Sequence, residues 1–221
     1  MVLKRVAAFT ALMILIALTV SLLAFSLGVI DPLTLTIRLL ALNGYIALSI
    51  AAIMSPFLKE ITLFFKKSFT KVHHYFAAVG LMLVTLLPIT VFLEGISTHY
   101  VNPYLFLSKF SSIYSFFYYG GVVALILIYV GLGAALLRRK IQAYWRFFHA
   151  LLYLALFVGI VHANLIGFDF TNVYIWVLFD ALFVAAMVAF GLNRLQTYRL
   201  KVRLRKIEES KAKTQAEIAK S

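Results

Sequence analysis

The chain has 221 residues, 63% hydrophobic and only 13% charged, with 21 basic against 8 acidic side chains. A water-soluble domain carries about 45–50% apolar and about 25% charged residues, and so short a chain has too much surface to hide the excess in a core. Cysteine is absent, which excludes disulfides, thiolate metal sites, iron–sulfur ligation and haem attached through the chain's own thiols.

Six apolar runs follow one another, at roughly Val6–Ile30, Leu39–Leu58, Val72–Leu93, Ile113–Leu137, Phe147–Ile166 and Val173–Leu192. A helix needs about 20 apolar residues to cross a bilayer. In hydrocarbon every backbone polar group must be satisfied within the segment, so such runs become helices, and none shows the alternation of a membrane barrel. The predicted fold is all-α: a polytopic six-transmembrane-helix bundle over residues 1–192, followed by a basic tail over residues 193–221. The first run follows Lys4 and Arg5, but it is longer than the apolar region of about 7–15 residues in a cleaved leader and reads as a retained anchor.

Basic residues set the orientation. With both termini cytoplasmic, all but two of the 21 Lys and Arg fall on the inner side; Arg38 and Lys109 are the exceptions. The net charge of +13 is then a matter of topology and no argument for nucleic-acid binding. The expected location is the cell membrane, as a multi-pass protein, with the lipid bilayer as its first partner.

The loop Lys59–Lys71 is basic, carries Phe64-Phe65 and is predicted to lie along the lipid surface. The outer loop Glu94–Ser112 is the longest and is predicted to cap the outer face. The tail alternates basic and apolar residues, as would a helical extension resting on anionic headgroups. No Gly-rich dinucleotide fingerprint or P-loop follows a strand, and no Ser/His/Asp grouping suggests hydrolysis.

Ionisable side chains inside a membrane are rare, costly and functional by default. His73 and His74 open the third run on the inner side. His149 lies just inside the fifth run, also on the inner side, and His162 follows about 20 Å further along the same helix. The third and fifth helices run in one direction, so His73 or His74 lies level with His149. Two neutral imidazoles facing each other across a bundle satisfy the axial positions of a haem iron. A zinc site would ask for three or four convergent ligands. A single His at a membrane edge reads as an interfacial residue; several sharing two helices point to haem.

Other polar groups invite smaller readings. Asp180, in the sixth run, stands near the level of His162, so the two are a candidate pair, the alternative being that Asp180 bonds within a helix contact. Arg38 and Glu94 read as snorkelling residues at the outer interface. Arg146 is a candidate contact for haem propionates, although positive-inside anchoring also accounts for it.

The stretch Tyr144-Trp145-Arg146-Phe147-Phe148-His149, followed by Leu151, Tyr153 and His162, resembles the fifth helix of the ferric reductase-like transmembrane superfamily. That group includes ferric reductases, NADPH oxidases and the haem-binding membrane subunit of bacterial periplasmic methionine sulfoxide reductase. Gly44 through Ala47 to Ser55-Pro56 is similar to its second helix, and His73-His74 after a basic loop is similar to the start of its third. The likeness covers roughly half the chain. It implies a haem b held by His73 or His74 together with His149. The family usually carries an outer His on the third helix, where this chain has Leu87 followed by Pro88. The outer site would keep only His162, with His99 either a candidate further ligand or, as the plainer reading, an exposed loop residue, so one haem is expected.

The resulting expectation is a membrane cytochrome b, an oxidoreductase component that carries electrons across the membrane. With no flavin or nicotinamide domain in the chain, electrons would come from a separate flavoprotein or from quinol, and the tail is an alternative docking site for such a donor. Two rivals stand beside this reading: a cofactor-free accessory or scaffold subunit, and a small proton-coupled transporter using His162 and Asp180.

Overall fold

A computed structural model of the protein describes residues 2–28, 31–97 and 113–218. Among these residues there are no strands. The helices are α1 (Val2–Ser26), α2 (Pro32–Ile53), the short α3 (Leu58–Phe65), α4 (Phe69–Ser97), the six-residue α5 (Ile113–Tyr118), α6 (Gly120–Leu136), α7 (Trp145–Ile166) and α8 (Val173–Ile218), with a 3-10 turn at Phe168–Thr171 before α8. Most of the outer loop, including His99 and Lys109, lies outside the described residues.

Four helices, α2, α4, α7 and α8, are long and apolar enough to cross a membrane; Ala11–Ser26 of α1 and all of α6 form shorter apolar helices. Large apolar side chains stand exposed along them, among them Leu15, Leu22, Met82, Ile126, Val184 and Val188, each more than half open. A belt of this kind is stable against lipid and not against water. The chain is a membrane-embedded helical protein.

Local chemistry explains the helix ends. Asp31 caps α2, accepting the Thr34 amide at 2.9 Å, and Pro32 occupies the first helical position, where its missing N–H costs nothing. The helix stops at Ile53, just before Ser55-Pro56, because a proline disfavours helical backbone at the residue before it. The fourth apolar run does not form one helix. A turn at Tyr119 divides α5 from α6 where Gly120 and Gly121 follow each other and weaken helix propensity.

The helices associate as two close pairs. Between α2 and α4, a Cβ added to Gly44 would lie 2.8 Å from Val84, and one added to Gly80 would lie 2.7 Å from Leu48. Between α6 and α7, a Cβ on Gly131 would lie 2.8 Å from Leu152. Small residues let membrane helices approach to this distance, where dispersion and not water drives association. Ala124, Ile128, Ala155 and Val158 of the second pair pack against Leu48, Leu81 and Val84 of the first. A second core joins α1, α2, α7 and α8 through Val20, Ala24, Leu42, Ile46, Ile160, Ile175 and Phe179.

Arg38 and Glu94 are not free snorkelling residues. The Arg38 guanidinium is held by Asp169, whose two carboxylate oxygens accept its Nε–H at 3.0 and 3.1 Å. Glu94 Oε1 accepts the Thr34 hydroxyl at 2.6 Å.

The basic tail is helical. It continues α8 without a break, giving one helix of 46 residues. No Gly or Pro follows Gly191 to bend it onto the headgroups. The part beyond Leu192 therefore extends about 40 Å along the axis of the span, with Leu195, Tyr198, Leu200, Leu204 and Ile207 exposed. Since the chain has no cysteine, Leu204→Cys gives a single labelling position. A spin label there is expected to stay open to a water-borne relaxation agent in both zwitterionic and anionic nanodiscs. Protection in anionic nanodiscs alone would put the tail back on the lipid surface.

Candidate functional site

The site is built around the last turn of α2, at the end of the bundle that carries the basic loops. Because the helix stops at Ile53, its final carbonyls lose the regular amide donors of a further α turn, although the Ala52 carbonyl still accepts the Ser55 amide at 3.2 Å. Side chains from other helices add bonds to them. His73 of α4 places Nδ1 3.1 Å from the Ala51 carbonyl. Tyr153 of α7 donates its hydroxyl to the Ala52 carbonyl at 3.3 Å and lies 3.0 Å from the Ser55 hydroxyl. The end of α2 thus positions both of the helices that bear the inner histidines.

His149 of α7 is held in the same way by α6, its Nδ1 standing 3.3 Å from the Gly131 carbonyl. A carbonyl can only accept, so each of these bonds puts the ring proton on Nδ1 and leaves the Nε2 lone pair available. Each ring also packs against an aromatic one helical turn earlier: His73 stacks on Phe69 at 5.5 Å, and His149 meets Trp145 at 5.9 Å.

The two imidazoles face each other across the gap between the close pairs. Their ring centres are 6.5 Å apart and their planes are inclined at 68°. Two imidazole nitrogens each about 2 Å from one metal ion between them put the ring centres about 6 Å apart. The ring separation and the Nδ1 tautomer fit a bis-imidazole haem iron. Further along the same helices, away from the basic end, Leu48, Leu81, Leu127 and Leu152 pack against the apolar core of Ala124, Ile128, Ala155 and Val158.

His74 takes the other direction. Successive helical residues point about 100° apart, and its exposed ring lies 5.9 Å from that of His73. Arg146 is exposed, with its guanidinium 5.7 Å from the Trp145 ring. Among the described residues no group of three or more His, Asp or Glu converges as a zinc-type site would require.

The structure does not bring His162 and Asp180 together. His162 turns to the N-terminus of α6 and to α5: its Nδ1 is 3.3 Å from the Phe117 carbonyl, and its Nε2 would stand 2.9 Å from a Cβ on Gly121. The tandem glycines that break the fourth run also make the notch that this ring fills. Asp180 accepts instead from Asn164 Nδ2 at 3.2 Å. Asn164 is two residues beyond His162, about 200° around α7, and that face looks to α8. Level positions along the helices do not make a pair when the side chains leave from opposite faces.

Sequence reasoning also missed the roles of Tyr153, Ser55 and the Ala51 and Gly131 carbonyls. The available signal was spacing: Tyr153 lies one turn beyond His149, and Ser55-Pro56 ends a helix that must expose carbonyls nearby. Comparison with protein-family models, with characterised proteins and with solved structures finds no match to this chain.

Proposed function

We propose that this protein is a cell-membrane cytochrome b that holds one haem b between His73 and His149 and passes electrons across the bilayer. The observation that carries the reading is the facing pair of imidazoles, each with Nδ1 bonded to a backbone carbonyl and Nε2 available. The proposed topology has six spans with both termini cytoplasmic. α1 and α6 complete the set: α6 is about 26 Å long, close to the hydrocarbon thickness of about 30 Å.

When bound, haem supplies one-electron chemistry that no side chain of this protein offers. His73 and His149 would hold its iron. The Ala51 and Gly131 carbonyls fix the two rings and make their free nitrogens better donors. Tyr153 ties α7 to the end of α2, so the two ligand-bearing helices keep their spacing. Arg146 lies at the rim, where a propionate would find a cation. Electrons would come from a separate flavoprotein or from quinol and leave on the opposite side. The rival transporter reading relied on a His162–Asp180 relay, and those residues have different partners.

A reduced-minus-oxidised visible spectrum of the purified full chain is expected to show the sharp band of a low-spin haem b. A pyridine haemochrome assay is expected to give one haem per chain, unchanged by His162→Ala. A colourless protein would overturn the reading. A ratio of two that falls to one in His162→Ala would restore a second site.

A further inference from the structure

The basic end of the bundle carries a second feature, independent of the histidines. A groove of about 440 Å³ opens between α1, α2 and α3, walled by Phe9, Met13, Ile50, Ile53, Ile61 and Phe64. Its construction follows from the amphipathic α3. Phe57, Ile61, Phe64 and Phe65 recur at helical spacing, and all face the groove. Phe9 of α1 meets Phe64 and Phe65 edge-on at 6.0 and 5.3 Å and reaches Phe76 of α4 at 6.2 Å, which pins α3 across the bundle end. Among the described residues Glu60 is the one charged residue on the wall.

Beside this apolar wall stand exposed cations. Lys59 lies on the other face of α3. Lys66 ends the helix in a left-handed conformation with φ 52°, and Lys67 follows it directly. Lys71 is exposed one short turn further on. A hydrocarbon-lined groove and a cluster of four lysines against one glutamate thus meet at one end of a membrane bundle.

We propose that this groove binds an anionic phospholipid, with an acyl chain along the apolar wall and the phosphate over Lys66 and Lys67, at the end of α3. A peptide is a poor occupant, because the wall has almost no polar atom to satisfy its backbone. A soluble anion would use the lysines and leave the groove empty. A zwitterionic lipid would fill the groove and gain little from the lysines. Only an anionic lipid uses both features, since juxtamembrane lysines favour anionic headgroups.

Native mass spectrometry of the full chain in detergent, titrated with palmitoyl-oleoyl phosphatidylglycerol or the matching phosphatidylcholine, tests this whether or not the protein is coloured. One phosphatidylglycerol per chain is expected, bound about tenfold more tightly than phosphatidylcholine. The double variant Lys66→Gln/Lys67→Gln is expected to lose that preference, and Ile61→Trp, which fills the groove, to weaken both lipids. Circular dichroism checks the fold; should Ile61→Trp lose helix, Ile53→Phe fills the same space from α2. Equal binding of the two lipids, unchanged binding after both groove-filling variants, or displacement of the lipid by millimolar inorganic phosphate would each overturn the proposal.

Discussion

His149→Ala is expected to leave the purified protein without haem, His73→Ala to do the same, and His74→Ala to bind it as the parent does. The difference between neighbours is the informative part. His73 points at His149 with its ring 6.5 Å away and its Nδ1 on the Ala51 carbonyl, while His74 leaves the helix about 100° away and is exposed. Removing His73 or His149 takes away the ligand and the hydrogen bond that orients it. Added imidazole is expected to restore part of the colour in His149→Ala, because the deletion leaves a space of that shape. Tyr153→Phe touches no ligand; it removes the hydroxyl bonded to the Ala52 carbonyl, and loss of such a support weakens retention by about 10–100-fold without abolishing it. Retention of haem by both His73→Ala and His74→Ala would show that the inner pair is not the site.

Much of the fold was legible because the bilayer imposes a simple rule on the chain. Long apolar runs must be helical, and α2, α4, α7 and α8 follow that rule. The facing of His73 and His149 was legible for a related reason: two parallel helices that start at one membrane face put early residues level. Facing direction was not legible to the same degree. His162 and Asp180 are level but leave from different sides, because α6 offers the Gly121 notch to one while Asn164 bonds the other. The division at Tyr119 depends on two glycines that hydropathy counts as neutral. The continuity of the tail with α8 was not legible either, because amphipathic alternation does not report where one helix ends and another begins.

The other large effect is expected far from the histidines. Asp169→Ala should lower stability by about 3–5 kcal/mol, the cost of leaving a buried cation without its partner. The Arg38 and Asp169 side chains are only 10% and 7% exposed. Arg38 does more than neutralise Asp169. Its guanidinium donates to the Ala24 carbonyl at 2.6 Å and the Gly28 carbonyl at 3.2 Å, and lies 5.4 Å from the Phe168 ring. Ala24 is in the last turn of α1, where carbonyls lack intrahelical donors and a cation is favoured by the helix dipole. Arg38 therefore joins the end of α1, the start of α2 and the turn between α7 and α8. Replacing both charges by Arg38→Met/Asp169→Leu should recover most of the loss from Asp169→Ala, since no buried ion remains. Recovery should be incomplete, because the Ala24 and Gly28 carbonyls lose their donor. Thermal unfolding of the full chain in detergent, followed by circular dichroism, measures each step. Under the haem proposal, the visible band should be unmoved in both variants, since Arg38 and Ala51 stand about 20 Å apart along α2. A loss below about 1 kcal/mol in Asp169→Ala would mean that water solvates this pair as it does a surface salt bridge, and that the end of α1 is held by the apolar contacts of Val20 and Ala24 alone.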